Sequence, residues 1–187
     1  RKSWEGGDPL SKKKAIFLKY LIYAIIILAL FVMQNTPGMM EIAGIRPSFL
    51  LSAAVLFAMY EGEFEGAILA MVCGLFWDFG SGGLTGANAI LFLILGVGIG
   101  LLTTHLLRRT IGTALLCCAV SILIQMLVNF TFTYFIWNQA HSGMFLLTQM
   151  LPAALYSIVL SPLVFLLIRF VFEKFQIILH PEEPNSI

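Results

Sequence analysis

The feature that most limits what this chain can become is a succession of apolar runs, each about as long as a bilayer is thick. The first, at 15–35, reads AIFLKYLIYAIIILALFVMQN, and about 20 such residues wound as a helix cover roughly 30 Å, the hydrocarbon thickness of a membrane. With 59% apolar and only 11% charged residues over 187 positions, the apolar surface cannot be hidden in one soluble core, so lipid must serve as solvent. The runs are continuous and show no strand-period alternation, which predicts helices and excludes an outer-membrane barrel. The first run is long and no A-x-A cleavage site follows it, so it reads as an ordinary span, not a signal peptide.

The expected fold is an all-α integral membrane protein with six transmembrane helices at about 15–35, 47–60, 63–79, 87–107, 112–137 and 144–172. Together they make a transmembrane domain over 15–174, between a basic tail at 1–14 and a polar tail at 175–187. The second span is short, but Pro47 suits a first helical turn, and charge argues that the segment crosses. If it did not, Arg108 and Arg109 would fall on the side opposite the basic tail, against the positive-inside rule. With six crossings, six Lys and Arg residues before or early in the first span, two after the fourth and two at the sixth share one side, and Arg46 lies on the other. Both termini are therefore expected in the cytoplasm. On this reading Lys19 snorkels to the interface, Glu61, Glu63 and Glu65 form a solvated helix start, His105 ends a span, Trp137 anchors an outer loop at 138–143, and Pro152 and Pro162 bend the sixth helix.

Within this frame the stretch 61–88 stands out. Gly62, Gly66, Ala70, Gly74 and Asp78 recur at steps of four, which predicts one bare helical face that ends in an acid. Small residues let helix backbones meet closely in lipid, where van der Waals contact replaces burial from water as the associating force. This helix is thus expected at the centre of the bundle. Packing alone accounts for the glycines. A carboxylate at mid-span costs on the order of 3 kcal/mol and is usually kept for a partner, a wet cavity or an ion, and Asp78 sits near the span's end, where the cost is lower. Residues 80–86 resemble a phosphate-cradling loop, yet no Lys-Ser/Thr pair closes it, so a tight turn is the better reading. Gly96, Gly98 and Gly100 repeat the small-residue device. In the fifth span Ser121, Gln125, Asn129 and Thr133 form a polar stripe, whose amides need either partners on another helix or a wet cavity.

Cys73, Cys117 and Cys118 lie inside apolar runs and read as small fillers, so neither disulfides nor metal sites are expected. The chain has no HExxH, no GxSxG and no nucleotide-binding sequence. No catalytic activity, cofactor or nucleic-acid partner is expected.

A family resemblance is carried by Gln34, by Gly44-Ile45-Arg46-Pro47-Ser48-Phe49-Leu50, by Gly62 and Gly66, and by Gly74-Leu75-Phe76-Trp77-Asp78 followed by Gly86 and Ala89. These residues resemble the rod shape-determining protein MreD family of the bacterial cytoplasmic (inner) membrane. The resemblance implies a non-enzymatic part of the cell-elongation machinery, acting in rod shape and lateral peptidoglycan synthesis. It implies MreC as the direct partner, and MreB, RodA and a class B penicillin-binding transpeptidase as indirect ones. The face through Gly62, Gly66, Ala70, Gly74 and Asp78, with Gly86 and Asn88, would then order the core and shape a surface that grips a partner's transmembrane helix. The compact six-helix bundle also resembles the substrate-binding components of energy-coupling factor vitamin transporters. Such a component would use the polar stripe and Asp78 to hold a ligand, although the glycine turn offers it few contacts. A proton relay through Asp78 lacks a second titratable partner.

Overall fold

The computed structural model describes residues 9–36, 38, 46–81, 86–106, 110–137 and 151–179. These form six helices: α1 (Pro9–Asn35), α2 (Phe49–Glu61), α3 (Glu65–Ser81), α4 (Ala87–His105), α5 (Ile111–Trp137) and α6 (Leu151–Leu179). Four carry stretches long and apolar enough to cross a membrane, Ile16–Asn35, Ala87–His105, Ile111–Phe132 and Leu151–Lys174. Their outward faces present Ile25, Leu28, Ile94, Leu123, Leu127 and Leu166, the apolar surface that a lipid environment solvates.

The centre of the bundle is α2, and this corrects the expectation that placed the glycine-bearing helix there. Every residue from Phe49 to Tyr60 is buried, and α2 touches all five other helices. Thirteen residues make a helix of about 20 Å, too short to bring both ends to the membrane surface. Its terminal backbone groups must therefore find partners within the protein, which only a helix enclosed by others can do. Ser52, Ala53, Ala54 and Ala58 keep α2 thin enough to be surrounded, and Phe57 packs against Tyr23 of α1 with ring centroids 4.9 Å apart. By contrast α3 exposes Ile68 and Phe79.

Several element boundaries also differ from those expected. Pro47 precedes the helix, with Ser48 as the N-cap of α2. Gly62 is not on a helical face. It is the C-cap of α2, with φ +89°, a conformation that L side chains rarely adopt. The third helix begins at Glu65, the first extends back to Pro9 through the basic segment, and the last continues to Leu179 inside the expected tail. Pro152 lies in the first described turn of α6 and Pro162 lies inside the helix. Glu41, Gly44 and Ile45, the glycine turn at 82–85, Arg108 and Arg109, the loop at 138–143 and the start of the expected sixth span at 144–150 fall outside the described residues.

At the end of the bundle where α2 hands over to α3, Glu63 and Glu65 are exposed and Glu65 lies in the first turn of α3, as a solvated helix start requires, but Glu61 does not belong with them. Glu61 pairs with Lys19 of α1, the two side chains being 4% and 13% exposed, and it accepts a 2.5 Å hydrogen bond from the Tyr23 hydroxyl. The Tyr20 hydroxyl donates to Glu65 at 2.7 Å. Lys19 thus turns inward to a carboxylate instead of snorkelling outward, because Glu61 ends the one helix that has no lipid-facing side.

Candidate functional site

The residues singled out around 61–88 gather at the junction of α3 with its neighbours. Asp78, in the last turn of α3, is 3% exposed. Its Oδ2 accepts from the backbone N–H of Gly86 at 2.8 Å and of Ala89 at 3.3 Å. Its Oδ1 accepts from the backbone N–H of Asn88 at 3.3 Å and from the Asn88 side-chain amide at 2.8 Å. The N-cap of α4 is Gly86, at φ +101°, and it provides no side-chain cap. A capping side chain ordinarily accepts from the second and third N–H groups of its own helix, and Asp78 supplies that function from the preceding one. A carboxylate facing the positive end of a helix dipole is stabilised there.

A second borrowed cap lies at α2. Ser48 offers no side-chain cap of its own, and the backbone N–H of Leu50 donates instead to Gln34 Oε1 at the end of α1, at 3.2 Å. The backbone N–H of Ser48 donates to Ser157 Oγ of α6 at 2.7 Å, and the hydroxyls of Ser52 and Ser161 lie 3.2 Å apart. Both of these helix starts, which lack a capping side chain of their own, are thus held by side chains from other helices.

The small residues set how closely the helices meet. A Cβ on Gly66 would lie 2.5 Å from Ala58 Cα of α2, and one on Gly74 would lie 2.6 Å from Ala89 Cα of α4. One on Gly100 would lie 2.5 Å from Glu63 Cα, and one on Gly96 3.0 Å from Ala67 Cα. Ala70 is fully buried. Gly66 and Gly74 therefore serve different neighbours, α2 and α4, and both are turned toward this chain's own helices. Gly98 differs, since a Cβ there meets nothing within 4 Å.

On α5, Ser121 and Gln125 are buried, Asn129 is half-buried, and Thr133 follows on the same helix. Gln125, Asn129 and Arg46 line a cavity of about 290 Å³ at the end of the bundle where α1 and α3 finish and α6 begins. The structure does not bring this stripe together with Asp78. Cys73, Cys117 and Cys118 are buried, His105 is exposed at the end of α4, and no group of three or more metal-ligating side chains occurs among the described residues.

Three features were missed from sequence: the Lys19–Glu61–Tyr23 cluster, the capping role of Gln34, and the serine pairs. The serines carried a readable signal, since Ser48 and Ser52 on one segment and Ser157 and Ser161 on another both recur at a step of four. The buried ion pair carried none, because its partners are 42 residues apart.

A short helix enclosed by longer, lipid-compatible ones, stitched by borrowed caps, defines a compact all-α membrane protein. Residues 14–171 match the family of the rod shape-determining protein MreD, and the chain belongs to that family of bacterial membrane proteins with a role in determining rod shape. No curated protein and no solved structure matches the chain.

Proposed function

We propose that the chain is a non-enzymatic scaffold of the bacterial cell-elongation machinery. It sits in the cytoplasmic membrane with both termini inside and binds MreC through its transmembrane faces. Through MreC it works with MreB, RodA and a class B penicillin-binding transpeptidase in lateral peptidoglycan synthesis. The observation that carries this reading is the family match over residues 14–171. The physical form is compatible with it, because a protein that is nearly all helix among its described residues acts on partners chiefly through helix faces. Gly66 and Gly74 are occupied by α2 and α4, so on this proposal they act indirectly, by fixing the shape of the outer faces. The family match favours this reading over a vitamin-transporter component. The test is affinity purification of the tagged full chain from its native membrane. MreC is expected to copurify, and recovery of paired ATPases with a coupling membrane subunit in its place overturns the proposal.

A further inference from the structure

The polar stripe of α5 holds one group that the described fold does not answer. Gln125 is 3% exposed, and its Nε2 has no hydrogen-bond partner among the described residues. A buried donor left unmade is costly, and more so at membrane depth, where water is scarce. Gln125 lines a cavity of about 290 Å³ together with Gln34 and Asn35, the last two residues of α1. Each of these two amides is half committed. Gln34 accepts from the Leu50 N–H through its Oε1, and Asn35 donates from its Nδ2 to the Phe31 carbonyl, which leaves an amide donor on the first and an amide acceptor on the second. Arg46 and Asn129 border the same space but already have interactions within the chain, and no part of the site is assigned to them. Trp77, Ile122 and Met126 add apolar surface.

Amides that both donate and accept match hydroxyls, which do the same. Water would satisfy the amides, but each ordered water needs roughly two to four polar partners, and those beside the apolar surface would lack them. A sugar ring carries hydroxyls at its edge and C–H groups on its faces, so it meets both kinds of wall.

We propose that this cavity binds a sugar ring. The amide donors of Gln125 and Gln34 serve its hydroxyl oxygens, one of its hydroxyls donates to Asn35 Oδ1, and Trp77 and Met126 cover its C–H face. At about 290 Å³ the space is at the lower edge of ligand pockets, roughly 300–1,000 Å³, which suits a single ring. That ring is a free sugar or the headgroup of a glycolipid whose acyl chains stay in the bilayer.

The experiment uses the purified full chain in lauryldimethylamine oxide, a detergent without hydroxyls, with native mass spectrometry and thermal melting as readouts. The probes are glucosyl-dioleoylglycerol, dioleoylphosphatidylcholine, which has the same tails under a headgroup without hydroxyls, and methyl glucoside, which has the ring without tails. The glucosyl lipid is expected to be retained and to raise the melting temperature, and phosphatidylcholine is not. Gln125→Met removes the donor at nearly constant volume. It is expected to melt no lower than wild type without ligand, because it removes an unpaired amide, and to retain the glucosyl lipid about tenfold less well, the worth of roughly one hydrogen bond. Met126→Trp keeps all three amides and fills the cavity, and is expected to abolish retention. Displacement of the glucosyl lipid by methyl glucoside identifies a site open to free sugars, and failure to displace it identifies a glycolipid site. Equal retention of phosphatidylcholine, no binding of either glucose probe, or unchanged retention in Gln125→Met overturns the proposal and leaves a water-filled cavity.

Discussion

Asp78 and Asn88 are ten residues apart and joined twice: one carboxylate oxygen accepts from the Asn88 backbone N–H at 3.3 Å and from its side-chain amide at 2.8 Å. The other oxygen serves Gly86 and Ala89, so one side chain closes the turn from α3 to α4 and starts the second helix. Gly74, four residues before Asp78, faces Asn88 O and Ala89 Cα, each 2.6 Å from where a Cβ would stand. The acid and the glycine act on the same turn of α4. The glycine lets the helix start come close enough to be capped, and the carboxylate supplies the cap.

Replacing Asp78 by Ala strands the N–H groups of Gly86, Asn88 and Ala89 together. The expected loss is about 3 kcal/mol, above the usual 0.5–2 kcal/mol for one cap because the acceptor is charged and buried. Asn88→Ala removes one of these bonds and is expected to cost about 1 kcal/mol. Thermal melting of the two variants in detergent checks the order, and an Asp78→Ala protein as stable as wild type would show that the cap is dispensable.

Gly66 and Gly98 separate packing from helix propensity. Alanine at Gly66 sets a methyl group 2.5 Å from Ala58 Cα and 2.7 Å from Phe57 O, neither of which is a side chain that can swing away. Helix α3 must then move off α2, at an expected cost of about 1–3 kcal/mol. Alanine at Gly98 meets nothing within 4 Å and is expected to be neutral, or stabilising by up to about 1 kcal/mol. A melting series of Gly66→Ala, Gly98→Ala and the double variant gives opposite signs if these two environments govern the outcome.

How far the sequence carried the fold can be judged from these residues. Long apolar runs announced helices, and four of the six described helices carry stretches long enough to cross a bilayer. The step-of-four pattern found Gly66, Ala70, Gly74 and Asp78 but wrongly included Gly62, because periodicity cannot see that the chain turns there with φ +89°. The same pattern put α3 at the centre. In soluble proteins an all-round apolar helix is recognised as buried, but in a membrane chain such a helix can equally face lipid, so the enclosure of α2 had no composition signal. Asp78 was conspicuous as an intramembrane acid, yet three of its four donors are backbone N–H groups, which every residue but proline carries, and only the fourth, the Asn88 amide, is a side chain that a sequence can display. Gln125 was legible as a polar residue needing a partner. The cavity it lines depends on where α1 and α3 end and α6 begins, which is a matter of tertiary packing.

The buried pair of Lys19 and Glu61 offers a test of coupling. Removing one member leaves the other charge enclosed, which typically costs about 3–5 kcal/mol, whereas replacing both by neutral groups of similar size is often nearly neutral. Lys19→Met and Glu61→Gln are each expected to lower stability strongly, and the double variant is expected to recover much of the loss. The cycle of four melting curves reads this directly, with additive losses as the outcome that would show the pair to be uncoupled.

Orientation is the last prediction, and it follows from where the cations lie. Lys12, Lys13, Lys14, Lys19, Arg169 and Lys174 belong to the first half of α1 and the end of α6, and Arg46 to the opposite end of the bundle. Positive residues near span ends are retained in the cytoplasm, which sets the first of these ends inside. Thr36, just past α1, and Thr110, just before α5, are exposed at opposite ends of the bundle, and the native cysteines are buried. A cysteine at Thr36 is therefore expected to react with a membrane-impermeant maleimide in intact cells. One at Thr110 is expected to react only after the membrane is opened. The reverse pattern would invert the chain in the membrane, placing Arg46 inside with the remaining charges outside, and would require a force stronger than the cation bias to hold it there.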